Sequence, residues 1–133
     1  MTLSGRLAES VRACFTGLWV RSAEPDDAVS EITALCRREG WALATWDVDR
    51  GLAAPGEQVS APDSLAAIRA LAAMATPDGT AILVLRNFHR FLGSPEVVQA
   101  LDTRNAEGRR DRTFVVILSP VIALPSNTNG SSL

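Results

Sequence analysis

AILVLRNFHRFLGSP, residues 81–95, decides the fold. Ala81 to Leu85 is the most uniformly apolar run in the chain, short and flanked by polar residues. Such a run predicts a central parallel strand buried on both faces. The segment Arg86, Asn87, Phe88, His89, Arg90 then leaves the sheet, and Ser94 and Pro95 open a helix that extends to about Asn105. Downstream, the polar stretch 107–112 predicts a loop. Thr113 to Leu118 (TFVVIL) predicts another buried strand, ended by Ser119 and Pro120.

Upstream the same alternation continues. Leu65, Ile68, Leu71, Ala72 and Ala75 fall on one helical face, with Asp63 or Ser64 as cap and Pro77 to Gly79 as the closing turn. Residues 52–62 are Gly, Pro, Ala and Ser with little pattern, which predicts a long exposed loop. Trp41 to Asp47 (WALATWD) and Gly17 to Arg21 (GLWVR) read as strands. Between them Pro25, the acidic Asp26 and Asp27, the apolar Ala28, Ile32, Leu35 and Cys36, and finally Gly40 mark a helix from its first turn to its C-cap. Leu3, Leu7, Val11 and Cys14 form the stripe of an opening helix, and residues 126–133 have the composition of a disordered tail. Strand and helix therefore alternate four times after an initial helix. The expectation is an α/β three-layer sandwich with a four-stranded, or with one strand added five-stranded, mainly parallel sheet, in one domain over residues 1–125.

Composition narrows the function. The 13 basic and 15 acidic residues nearly cancel, so no net field gathers a polyanion, and nucleic acid is not the expected partner. No window is apolar enough to span a bilayer and the N-terminus lacks a leader pattern, so a cytoplasmic protein without a membrane partner is expected. Cys14 and Cys36 are isolated within apolar patterns and read as buried thiols. All 13 cationic residues are Arg. Without lysine there is no phosphate-loop amine, Schiff base or lysine general base.

Ligands of such sheets bind beyond the carboxyl ends of the strands. After GLWVR a phosphate would need a glycine-rich loop followed by Lys and Ser or Thr. The chain has Ser22, Ala23, Glu24, Pro25, Asp26 and Asp27 there: no glycine, and three carboxylates at the helix end a nucleotide would use. After AILVL an ATPase needs an acidic pair for magnesium and the attacking water, where this chain has Arg86, Asn87, Phe88 and His89. The outline is phosphate-loop-like but degenerate, so no catalytic residue, cofactor or metal is assigned. The remaining strand-end candidates are Arg86, Asn87, His89, Arg90, Asp47 and Ser119. Trp19, Trp41 and Trp46 read as sheet packing, and Arg109, Arg110 and Arg112 as a solvated group able to contact an acidic partner.

Leu83 to Leu92 (LVLRNFHRFL), the helix start Ser94 to Val98 (SPEVV), and Phe114 to Pro125 (FVVILSPVIALP) resemble the N-terminal domain of AAA+ ATPases of the uncharacterised chloroplast-reading-frame type. The resemblance extends to about Pro125 and departs at Asn87, where that family commonly carries Asp. It implies a non-catalytic interaction or regulatory domain, a protein partner in the form of an AAA+ motor in cis or in trans, and a final strand packed beside the first. The sequence ends near Leu133, before any motor and before that final strand, so a truncated frame is one expectation. An uncovered first strand would be an edge open to self-association. Two other readings compete: a nucleotide binder without hydrolysis, using Arg86 or Arg90 for phosphate, and a small enzyme in which Asp47, His89 and Ser119 converge.

Overall fold

The computed structural model describes residues 3–22, 24–47, 51–54, 57–59, 64–77, 79–120 and 131–132. The elements are α1 (Leu3–Arg12), β1 (Gly17–Arg21), α2 (Pro25–Glu39), β2 (Ala42–Asp47), β3 (Gly51–Ala54), β4 (Glu57–Val59), α3 (Ser64–Ala73), β5 (Ala81–Arg86), a 3₁₀ turn (Phe88–Phe91), α4 (Pro95–Asp111), β6 (Thr113–Ser119) and β7 (Ser131–Ser132). They build a seven-stranded sheet in the order β4-β3-β2-β5-β6-β1-β7. Strands β2, β5, β6, β1 and β7 are parallel, while β3 and β4 add an antiparallel hairpin at one edge. The AILVL run is the middle of this parallel set, fully buried between β2 and β6.

Side-chain alternation divides the interior into two cores, because successive residues of a strand point to opposite faces. Leu18, Val20, Ile82, Val84, Phe114, Val116 and Leu118 pack under α1 and α2. Trp19, Trp46, Leu83, Leu85, Val115 and Ile117 pack under α3 and α4. Helices thus cover both faces, and the three-layer expectation holds. Trp19 and Trp46 lie in the α3 and α4 core, and Trp41 is half-buried against the α1 and α2 core.

Helix ends follow local chemistry. Pro25 starts α2, Asp26 and Asp27 face its positive end, Arg37 and Arg38 its negative end, and Gly40 closes it at φ 74° in the left-handed region. In α4 the Ser94 hydroxyl accepts the Val97 N–H at 3.4 Å, and Pro95 follows in the first turn.

Four sequence readings change. Of the expected loop 52–62, residues 52–54 and 57–59 belong to the edge strands β3 and β4, with Leu52 buried in the α3 and α4 core, and residues 55–56 and 60–62 lie outside the described residues. The small and polar residues of these two strands carry little strand preference, so pairing with β2 supplies the structure. The helix α4 does not end near Asn105 but runs to Asp111, because Arg104 reaches Glu107 and Asp111 along its own helix, at 3.4 and 2.6 Å. Gly108 in that last turn allows β6 to approach: a Cβ there would lie 2.3 Å from the Thr113 carbonyl oxygen. Of the tail, Ser131 and Ser132 are described, and they pair with Leu18 and Trp19 as β7, so the chain does not stop short of a strand beside the first, and β1 is not the uncovered edge that self-association would need. Finally, Cys14 is half-buried rather than buried.

Candidate functional site

The carboxyl ends of β1, β5 and β6 meet above α2. The Ser22 N–H donates to the Ser119 carbonyl at 2.9 Å, and the Asn87 N–H to the Leu118 carbonyl at 2.8 Å, so three consecutive strand ends in the sheet are tied by backbone bonds. Asn87 turns the chain out of the sheet at φ 55°, a conformation its short amide side chain tolerates. The 3₁₀ turn that follows is anchored by aromatic packing. Phe88 and Phe91 lie 5.7 and 5.5 Å from Trp46 and 5.4 Å from each other, ring centre to ring centre.

Arg86, the last residue of β5, has the alternation of Ile82 and Val84 and so faces the α2 side. Its Nη2 donates to Asp26 Oδ1 at 2.7 Å, across the end of β6. The guanidinium side is 18% exposed and the carboxylate side 88%. The Nε of Arg86 is buried without a hydrogen-bond partner among the described residues. Register places Asp47 beside Arg86 on the same face, since Trp46 pairs with Leu85 one step earlier. The first turn of α2 is therefore met by a cation from the sheet, but through the helix's own carboxylate. A phosphate at that position would need free N–H groups and a cation for itself. Here Pro25 contributes no N–H, and Asp26 takes the arginine.

Ser119 is turned the other way. Its Oγ, buried with Val115 and Ile117 on the α3 and α4 side, accepts the Trp19 indole N–H at 2.9 Å. Asp47 faces the opposite side of the sheet, two strands away, a lateral separation of roughly 10 Å. Arg86, Asn87 and Asp47 thus share one region, and Ser119 does not join them. The backbones of His89 and Arg90 lie in the 3₁₀ turn, and their side chains are outside the described residues. The sequence reading missed Asp26 as the partner of Arg86, 60 positions apart. The one available signal was an acidic first turn and a basic strand end on the same side of the sheet.

Elsewhere, burial pushes the Cys36 thiol from 9.0 up to about 11, as fits a core residue. Among the described residues no group of three or more His, Cys, Asp or Glu is placed to hold a metal ion, and no helix is long and apolar enough to cross a membrane.

Sheet order, two helical layers and the strand-end arrangement define an α/β sandwich in the outline of the phosphate-loop ATPases. The family model of the SpoVK-like AAA ATPase, N-terminal domain, matches residues 3–129, nearly the whole chain. The chain belongs to that family. No curated relative matches it.

Proposed function

We propose that this domain is a non-catalytic interaction or regulatory module for an AAA+ motor, with its former nucleotide position closed by its own side chains. The Arg86–Asp26 pair carries this reading. Arg86, the last residue of β5, is engaged by a carboxylate standing where a phosphate would sit, and the chain has no lysine to replace it. Asn87 and Arg86, in place of an acidic pair, remove the means to hold magnesium. The partner is an AAA+ motor, on the same polypeptide or another, in the cytoplasm. The likeness of LVLRNFHRFL and SPEVV to the chloroplast-reading-frame ATPases is the finer form of the same proposal.

The test is the ATPase rate of an AAA+ motor of this family with the domain present, absent and added back. A change in rate or assembly on removal, restored on addition, with no hydrolysis by the domain itself, is the expected result. ATP hydrolysis by the purified domain, abolished in Asn87→Ala or His89→Ala, would overturn it.

A further inference from the structure

The net charge of −2 conceals a separation of charge along the sheet axis. Helices α1, α2 and α4 each lead into the amino end of a parallel strand, so their C-termini gather at one end of the molecule. Their closing residues are arginines: Arg12, Arg37 and Arg38, and Arg109, Arg110 and Arg112. These are six of the 13 in the chain, and all but the half-buried Arg112 are exposed. The two acids interspersed with them are engaged: Glu39 lies 3.6 Å from Arg38, and Asp111 pairs with Arg104. Stabilising a helix C-terminus explains why an arginine suits each position. It does not explain the residue between them.

Phe15, 52% exposed, is the one large apolar side chain left in solvent among the described residues. It follows Cys14, whose backbone is held at φ 59° and whose Sγ receives Arg112 Nη1 at 3.6 Å. Thr16, on its other side, is fixed by a 2.6 Å bond from its hydroxyl to the Asn105 carbonyl and packs where a Gly108 side chain would be. Phe15 is thus held outward on a rigid turn, between the last turn of α1 and the last turn of α4. Arg112 is locked below it by Thr80 at 3.2 Å and by the Phe114 ring at 5.6 Å. A preorganised apolar side chain at the end of the fold where the helix-closing arginines gather has the composition of an interface centre.

We infer that this amino-end surface docks an acidic protein segment carrying one apolar anchor residue, which packs on Phe15 while its carboxylates meet Arg12, Arg109 and Arg110. A nucleic acid fits less well: the opposite end of the domain is acidic, at Asp26, Asp27 and Glu96, and one aromatic ring makes no stacking track. The inference rests on the reading of the domain as an interaction module, and is independent of the strand-end closure.

The test uses the full chain and a fluorescein-labelled twelve-residue peptide of alternating Glu and Ser with a central Leu, measured by anisotropy. Binding is expected, weakening by about tenfold from low to moderate salt. A peptide with Gln for Glu should bind at least about tenfold more weakly, as should Arg109→Glu/Arg110→Glu and Phe15→Ser, each with an unchanged circular dichroism spectrum. Absence of binding, equal binding of the Gln peptide, insensitivity to both variants, or tighter binding of a twelve-nucleotide oligo-dT would overturn the inference. If the peptide fails while the domain still alters its motor, the docking surface is wrong and the proposed function stands. Binding to the peptide by a domain that also hydrolyses ATP gives the converse.

Discussion

The two ends of the sheet are built on opposite terms. At the carboxyl end, where ligands of such folds bind, the charges face each other: Arg86 takes Asp26, and Asp47 stands beside the arginine. At the amino end buried and half-buried side chains bond within the fold, Thr16 to Asn105 and Arg112 to Thr80, while Phe15 and most of the arginines face solvent. One end is closed by polar side chains of low energetic weight. The other is held by close packing and open to a partner. The difference teaches that one sheet can pair its polar groups across the strand ends on one side while leaving charge and an aromatic ring in solvent on the other.

This contrast implies an order of mutational effects. Gly108→Ala should be the most damaging, since its Cβ would lie 2.3 Å from a backbone oxygen and the last turn of α4 would have to shift; about 3 kcal/mol of stability should be lost in urea unfolding. A loss below about 1 kcal/mol would show that the amino end is looser than described. Asp111→Ala comes next. It leaves Arg104, 7% exposed, with Glu107 alone at 3.4 Å, and should cost about 2 kcal/mol, with most of it recovered in the Arg104→Met/Asp111→Ala double variant. Asp26→Ala, at the opposite end, should cost less than about 1 kcal/mol, because its carboxylate is largely solvated and the pair is screened. A larger loss would make the closure a structural bond rather than a replaceable one.

The smallest effect at neutral pH concerns Cys36. Its folded thiol titrates near 11 against an ordinary 9.0, so the unfolded chain loses that proton first. The associated stability is complete below about pH 9 and declines as pH rises toward 11. Chemical denaturation across pH 7 to 11 checks this. Removal of the pH 9 to 11 decline in Cys36→Ala is the expected control.

Much of the fold was legible because its signals are local. AILVL and TFVVIL are continuous apolar runs, and Pro25 and Gly40 bracket α2 through the φ values they favour. The edge hairpin was not legible, since GLAA and EQV become strands by pairing with β2 and with each other. The length of α4 was hidden by Arg, Glu and Asp residues that read as loop until Arg104 is seen to use two of them. At the strand ends, the sequence supplied Arg86 and the absence of a phosphate loop. It could not supply the Arg86–Asp26 pair, which depends on β6 lying between β5 and β1. Nor could it tell that the Arg109 to Arg112 group closes a helix beside Phe15, because the spacing of charges alone suits a solvated loop equally well.

The central claim is that the domain's nucleotide position is closed from within. It is tested most directly by titrating the ¹⁵N-labelled domain with Mg-ATP to millimolar concentration and following the backbone amides of Ser22, Glu24, Asp26 to Ala28, Arg86 and Asn87. The closed arrangement predicts that these resonances do not move. Saturable shifts confined to those residues would contradict it.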